Sequence, residues 1–138
     1  IRPDGGAVPP PEVTIDGVAW QTATLREELL VETAGDSIAY LTDFLLDEAN
    51  LELLQPGLQG CRTLVSDCQY RHADLELARK HYHMTARLAG ELAQLAGAED
   101  LVLIHLSERY SRHEWRAMLD EARGIFPAAR FPAHWEVA

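Results

Sequence analysis

Four side chains of this sequence combine types and positions that could do chemistry together. Asp43 and Asp67 each close an apolar run, His105 follows a third such run, and His83 stands just before a predicted helix. Neighbouring parallel strands end at one edge of a sheet, so side chains at those ends can meet. Imidazole nitrogen and carboxylate oxygen are suitable zinc ligands, and a carboxylate beside a histidine stabilises its protonated form. The pattern predicts either a metal site or a proton-transfer site.

Each of these residues also has a plain structural interpretation. A single aspartate at a strand end is most often a turn or cap residue. A single histidine is most often an ordinary surface or core group. The sequence carries no pair of Cys-x-x-Cys motifs, the short-range spacing of many structural zinc sites. The residue types alone therefore leave the metal site and the structural roles open.

The elements that would position these groups alternate between strands and helices, which predicts an α/β fold. The predicted strands cover 13–15 and 18–20, around a hairpin turn at Asp16-Gly17, then 37–43, 61–67, 101–105 and, near the end, 130–137. The predicted helices cover 47–54, ended by Pro56-Gly57, then 85–96, with Gly97 as the stop, and 113–123. The stretch 25–31 is ambiguous, and 69–83 is predicted to be an irregular loop.

Apolar spacing gives the last two helices a predicted inner face. The residues expected to face inward are Leu88, Leu92 and Leu95 in the first of them, and Trp115, Met118 and Leu119 in the second.

The length of 138 residues suits one domain, or part of a larger one. Residues 1–11 are rich in proline and glycine and are predicted to be a linker or exposed loop, which leaves 12–138 as the domain. The sequence begins at Ile1, which we interpret as a processed, trimmed or partial chain.

Charge and cysteine content limit the function classes. Lys and Arg number 12 and Asp and Glu number 22, a net charge of −10, which argues against unaided binding to a phosphate backbone. A bound metal pair, or a basic element elsewhere, could supply the positive field. Cys61 and Cys68 are predicted to be buried thiols, typical of a reducing cytoplasm. No apolar run approaches the roughly 18 residues of a membrane span, and no membrane partner is expected.

Four segments, taken in order, resemble the C-terminal half of the metallo-β-lactamase superfamily. They are IAYLTD at 38–43, LVSDC at 64–68, HMTA at 83–86 and IHLSERY at 104–110. The His-x-Ser-x-Arg-Tyr form at 105–110 is most similar to the ribonuclease Z family, endonucleases that trim the 3′ end of precursor tRNA. The resemblance covers roughly residues 36–127.

The resemblance implies a fold and a set of roles. The fold would be half of a four-layer αββα sandwich, and the complete site would hold two zinc ions. Asp43 would bridge the zinc ions, and His105 would be a terminal zinc ligand. His83 would donate a proton to the leaving oxygen, supported by Asp67. The remaining roles are those of Arg109, near substrate phosphate, and of Ser107 and Tyr110, which would shape the loop.

The chain departs from the family pattern at three places. Thr42-Asp43-Phe44 stands where Gly-Asp-Thr is usual, and Ser66-Asp67-Cys68-Gln69 stands in place of His-Glu-Ala-Thr. The family's His-x-His-x-Asp-His motif, which belongs to its N-terminal half, is absent. We therefore expect a complementary N-terminal half, in the same or a separate chain, without which the site is inactive. The family also implies a homodimer of complete units.

The leading interpretation is a zinc-dependent phosphodiesterase or endoribonuclease of the ribonuclease Z type, acting on precursor tRNA in the cytoplasm. One alternative is another metal-dependent hydrolase of the same fold, acting on a smaller ester. The other alternative is an inactive interaction domain that has kept the fold and lost the metal.

Overall fold

The computed structural model describes residues 10–31 and 35–135. Contacts divide the chain into two compact units, Ile1–Gly35 and Asp36–Ala138, which are described separately below. Most of the predicted linker, residues 1–9, lies outside the described residues, as do the last positions of the predicted C-terminal strand, 136 and 137.

The described part of the first unit is a hairpin followed by a helix. Strands β1 (Glu12–Ile15) and β2 (Val18–Gln21) pair antiparallel around Asp16 and Gly17, both of which have positive φ. Positive φ at both central positions is the conformation of a type I′ turn, so the predicted hairpin is confirmed. Helix α1 (Thr22–Leu29) follows, so the ambiguous stretch 25–31 is helical up to Leu29 and extended at Leu30.

The second unit is a parallel sheet with helices, which confirms the α/β prediction. Its strand order is β3-β4-β5-β6, and all three pairings are parallel. The strands are β3 (Ile38–Leu41), β4 (Thr63–Asp67), β5 (Asp100–Ile104) and β6 (Ala129–Arg130). The helices are α2 (Glu48–Leu58), α3 (Leu75–His81), α4 (Ala86–Ala96) and α5 (Arg112–Arg123).

One face of this sheet is closed and apolar. Successive strand residues point to opposite faces, and the register aligns Leu64 with Leu101 and Ser66 with Leu103. All four of these side chains are fully buried. Helix α4 packs against β4 and β5 as well as against α5, so the closed face lies beneath helices.

The opposite face is open in the described chain. Tyr40 lies beside Val65, and Val65 beside Val102, across three strands. Val102 is buried and Val65 is half-buried, but Ile38 and Tyr40 on the edge strand are 69% and 63% exposed. Large apolar side chains in a row on a sheet face are unusual at a free protein surface.

Helix α4 packs through small residues together with Leu92, and Leu88 is partly buried against the core. Thr85 caps it by accepting a hydrogen bond from the Leu88 N–H, and Gly97 ends it in the left-handed conformation, both as predicted. Leu92 is buried, but the prediction for Leu95 is wrong, because it is 49% exposed. The buried stripe is completed by alanines and Gly90, which permit a closer approach to α5.

Helix α2 runs past its predicted stop. We expected Pro56-Gly57 to end it after residue 54, yet it continues to Leu58. Proline removes only its own backbone donor and crowds the preceding turn, and the residues after it can still donate to carbonyls four positions back. The N–H of Gln59 still donates to the carbonyl of Gln55, and Gly60 then takes a positive φ.

The stretch 69–83 is not the irregular loop that we expected. It contains a 3₁₀ turn at His72–Asp74 and then α3. Backbone bonds to the start of α4 hold this stretch: Tyr70 N–H donates to Met84 O, and Ala86 N–H donates to Tyr70 O. These bonds place His83 on a fixed segment.

Helix α5 begins at a capping box formed by Ser111 and Glu114, and it buries Met118 and Leu119 as predicted. Trp115 is half-buried against the core. The last strand of the described chain is short and lies at 129–130, and the described rest of the predicted strand, 131–135, is not extended into the sheet. Cys61 and Cys68 are buried free thiols, as predicted.

Candidate metal centre

The site forms where three parallel strands end side by side. Asp43 lies two residues beyond β3, Asp67 is the last residue of β4, and His105 follows β5 directly. Because β3, β4 and β5 are neighbours in the sheet, their carboxyl ends meet at one edge. His83 reaches the same place from the segment between α3 and α4. The structure therefore brings together all four residues that the sequence analysis singled out as chemical groups.

Three of the four side chains could share a metal ion. One ligand atom from each of Asp43, His83 and His105 lies within 4.8 Å of the other two. The Nδ1 of His105 is 3.7 Å from a carboxylate oxygen of Asp43, and the Nδ1 of His83 is 4.0 Å from the same oxygen. Asp43 is 63% exposed at its side chain, so the group opens to solvent on one side.

The Nδ1 atom of His105 is buried and has no hydrogen-bond partner among the described residues. Buried polar atoms in folded proteins nearly always have a partner, so such an atom calls for an explanation. The nearest carboxylate oxygens, of Asp43 and Asp67, lie 3.7 and 3.6 Å away, too far for a hydrogen bond. An imidazole nitrogen left without a partner in this way, beside carboxylates, fits a metal ligand.

Asp67 is held in place by burial and by hydrogen bonds. It is fully buried, and its Oδ2 lies 2.7 Å from Nδ1 of His83. Its carboxylate also accepts hydrogen bonds from the backbone N–H groups of Asp43, at 3.2 Å, and Gln69, at 2.9 Å. Burial raises the pKa of Asp67, and the hydrogen bond to His83 opposes that rise. The aspartate is shorter than the family's usual glutamate, yet it reaches His83.

Residues with strained backbone conformations lie at or next to the carboxyl edge of the sheet. Four non-glycine residues of the described chain have positive φ, and three of them are Asp43 (55°), Tyr82 (60°) and His105 (58°). The left-handed conformation costs an L-residue roughly 1–2 kcal/mol. Strain of this kind tends to persist at functional sites, where the surrounding structure enforces it.

The loop after β5 is tied to the segment after β4. Ser107 N–H donates to Gln69 O at 3.3 Å, and Ser107 Oγ accepts from Arg109 N–H at 3.4 Å. The Arg109 guanidinium lies 5.3 Å from the centre of the Tyr70 ring. Ser107 and Arg109 therefore lie on a loop with defined geometry, immediately next to His105.

Two residues that sequence reasoning missed support this arrangement. Gln69 places its Nε2 3.3 Å from Nε2 of His105. Asp74 accepts a hydrogen bond from the Tyr110 hydroxyl at 2.7 Å and pairs with Arg71 at 3.3 Å. Gln69 could have been suspected from its position two residues after Asp67. Nothing in the sequence connects Asp74 with Tyr110, 36 positions away.

Comparison with known proteins defines the class first. No family model matches the chain. Its fold resembles the crystal structure of the metallo-beta-lactamase fold protein YhfI from Bacillus subtilis, with a TM-score of 0.57 and 23% identity over 70% of this chain and 36% of that one. The chain thus has part of a metallo-β-lactamase-type fold.

Sequence comparison then gives the particular relatives. The chain is 55% identical over 124 residues to ribonuclease Z of Deinococcus radiodurans, and 38% identical over 101 residues to ribonuclease Z of Chlamydia muridarum. These alignments cover 90% and 73% of this chain, but only 38% and 31% of the relatives. The chain is homologous to ribonuclease Z and spans about a third of the length of these relatives.

Among the described residues, no helix combines the length and apolar character that a membrane span requires.

Proposed function

We propose that this chain supplies part of the active site of a metal-dependent endoribonuclease that processes the 3′ end of precursor tRNA. The observation that carries the proposal is the convergence of Asp43, His83 and His105 at one sheet edge, with buried Asp67 against His83. The homology to ribonuclease Z supports the same reading. On this proposal the chain is the C-terminal half of the catalytic domain, with 12–138 as its extent.

Asp43 and His105 are the proposed zinc ligands. The partnerless Nδ1 of His105 and the exposed carboxylate of Asp43, 3.7 Å apart, suit this role. A catalytic zinc normally has three protein ligands and an open position, and two zinc ions need more ligands than this chain offers. We propose that a segment carrying the His-x-His-x-Asp-His motif provides the others. Zinc would supply Lewis-acid stabilisation of the phosphoryl oxygens and activation of water.

His83 is the proposed proton donor to the leaving oxygen. Its Nδ1 is engaged by Asp67 at 2.7 Å, which leaves Nε2 to face a substrate. A carboxylate bound to one ring nitrogen orients the imidazole and determines which nitrogen is available for proton transfer. Three hydrogen bonds to Asp67 hold the carboxylate in place, so the ring of His83 is oriented before substrate arrives.

Arg109 and Ser107 are the proposed substrate-binding residues. The guanidinium of Arg109 lies over the Tyr70 ring, on the loop that begins at His105. A cation fixed in this way beside the metal ligands is placed to meet a phosphate of the RNA. Ser107 stabilises the loop through its bond with the Arg109 N–H, and we propose that it contacts substrate from there.

We propose that the open face of the sheet binds the complementary half, whether in the same or a separate chain. The face presents Tyr40 and Ile38, both more than half exposed, beside half-buried Val65. Covering such a row removes apolar area from water and stabilises the assembled fold. The assembled protein, meaning this chain together with that half, would then form a homodimer in the cytoplasm.

Two other functions make different predictions. A metal-dependent hydrolase of the same fold acting on a small ester would bind the metal and ignore tRNA. An inactive interaction domain would bind no metal even when assembled, and the net charge of −10 agrees with it.

The test is cleavage of a precursor tRNA by the assembled protein, with and without added zinc, beside a small phosphodiester as a competing substrate. We expect zinc-dependent release of the 3′ trailer, and far slower turnover of the small ester. Ester turnover without tRNA cleavage would favour the first alternative. Absence of both, with no zinc bound, would favour the second.

A further inference from the structure

Two helices of the second unit end in the same backbone motif but with different residues. At the end of α4, Ala98 N–H donates to Ala93 O, and the residue before it, Gly97, has φ 65°. At the end of α3, His83 N–H donates to Ala78 O, and the residue before it, Tyr82, has φ 60°. This is the Schellman ending, in which the left-handed position is usually glycine. The chain meets the usual preference at Gly97 and departs from it at Tyr82.

Burial of the Tyr82 side chain does not compensate for the absence of glycine at this position. Tyr82 is 72% exposed, so its ring gains little from packing against the core. A large side chain in the left-handed conformation is strained relative to glycine at the same place. Tyr82 is therefore strained, exposed and of little use to the packing of the core. Backbone strain that packing does not explain can indicate a functional role.

The position of Tyr82 relates it to the site. It is joined directly to His83, whose Nδ1 contacts Asp67, and consecutive Cα atoms lie only about 3.8 Å apart. Tyr82 also shares its left-handed conformation with Asp43 and His105, and these three are the non-glycine residues of the second unit that have it among those the structure describes.

Two basic residues come shortly before Tyr82, although the chain as a whole is acidic. Arg79 and Lys80 precede it in the last turn of α3, and both are exposed. Lys80 is the only lysine in the sequence. Arg79 pairs with Glu76 at 2.7 Å, but both partners are largely exposed, and such surface pairs rearrange readily. Exposed aromatic rings beside cations are the combination that binds single-stranded nucleic acid.

We propose that Tyr82 is a stacking platform for one unpaired base of the RNA, adjacent to the phosphate that His83 serves. The inference rests on the proposed function and adds to it a base contact, independent of the metal ligands. Stacking on an aromatic ring tolerates any base, so the contact would contribute affinity and register rather than sequence preference.

The experiment compares Tyr82→Gly, Tyr82→Leu and Tyr82→Phe in the assembled protein. Affinity for a 3′-extended precursor tRNA is measured in the presence of a chelator, so that no cleavage occurs, and unfolding temperature is measured in parallel. We expect Tyr82→Gly to raise the unfolding temperature by about 2–6 °C, because it removes the strained conformation. The same variant should bind the RNA about 5- to 150-fold more weakly. Tyr82→Leu should also lose affinity, and Tyr82→Phe should retain it.

The control for relieved strain is Asp16→Gly, since Asp16 is the remaining non-glycine residue with positive φ among those described and lies in the hairpin turn of the first unit. It should leave RNA affinity unchanged. A set of RNAs with one abasic position each adds a second readout: at one position the base deletion should weaken binding to wild type but not to Tyr82→Gly.

Wild-type affinity in Tyr82→Gly and Tyr82→Leu, with intact RNA binding by wild type, would overturn this inference and leave the proposed function standing. Failure of the wild-type assembled protein to bind precursor tRNA at all would overturn both.

Discussion

The closed face of the sheet and its carboxyl edge differ in the side chains that they bury and in their backbone strain. On the closed face every strand position is apolar or small, and helix α4 lies close to α5 because Gly90 has no side chain. At the edge a fully buried carboxylate, Asp67, is held by three hydrogen bonds, and Asp43 and His105 take strained conformations. The difference indicates that packing on the closed face provides stability, and that part of this stability is used to hold an unfavourable arrangement at the edge.

The largest expected effect is a loss of turnover, caused by a substitution at the carboxyl edge of the sheet. We expect His83→Ala to lower turnover of precursor tRNA by about 100- to 10,000-fold, the usual contribution of general acid–base help. The variant should keep its zinc, because the proposed ligands are Asp43 and His105. Turnover and zinc content of the same purified sample provide the measurement. Loss of zinc from His83→Ala would instead identify His83 as a ligand.

The closed face can be perturbed separately through Gly90. A Cβ there would lie 2.9 Å from the backbone oxygen of Ala122, a contact that cannot be relieved by rotating a side chain. We expect Gly90→Ala to lower the free energy of unfolding by about 1–2 kcal/mol, after the better helix propensity of alanine has offset part of the strain. Denaturant unfolding measures this, and zinc binding well below the transition should not change.

The matched control is Gly57→Ala in helix α2, where an added Cβ meets nothing within 4 Å. This variant should gain about 0.5–1 kcal/mol. If Gly90→Ala were as stable as Gly57→Ala, tight packing of α4 on α5 would not be what the closed face depends on.

The smallest effect concerns the contact that ties the edge loop down. Tyr110→Phe removes the hydroxyl that donates to Asp74 at 2.7 Å and keeps the ring under the Arg71 guanidinium. Because Asp74 is a third exposed and water can replace the bond, we expect a loss of about 0.5–1.5 kcal/mol near neutral pH.

The same variant has a signature in pH. The hydrogen bond from Tyr110, together with the nearby charges of Arg71 and Arg109, lowers the pKa of Asp74 below its ordinary value of 3.8. A lowered folded-state pKa stabilises the protein above the unfolded value and ceases to do so as pH falls through the folded-state value. The stability difference between Tyr110→Phe and wild type should therefore shrink in acid, as followed by unfolding at a series of pH values. A difference independent of pH would mean that the hydroxyl acts without Asp74.

Much of this contrast could be predicted from the sequence. Apolar runs that end in Asp43, Asp67 and His105 gave both the sheet and the edge where the groups meet, because parallel strands end together. The helix at 85–96 could also be predicted, because Thr85 and Gly97 are residues that typically begin and end a helix. Helix α3 was missed because its single fully buried residue is Ala78, which leaves no apolar periodicity to detect.

What could not be predicted depends on contacts between distant positions. The pairing of Asp74 with Tyr110 and the approach of Gln69 to His105 exist only after the loops have folded against each other. The exposure of Leu95 follows from alanines and Gly90 forming the packing stripe of α4, a choice that leucine spacing does not reveal. The left-handed conformation of Tyr82 could not be predicted either, because the usual sign of that conformation at a helix end is a glycine, and this position holds a tyrosine.

Asp43 and His105 are proposed to hold the metal, with His83 beside them as the proton donor. Native mass spectrometry of the assembled protein, loaded with zinc, can test these roles by comparing wild type with Asp43→Ala. We expect the wild type to carry about two zinc ions per copy, as a two-metal site requires, and Asp43→Ala to lose them. Full retention of zinc by Asp43→Ala, or a metal-free wild type in complex with its complementary half, would rule out this set of zinc ligands.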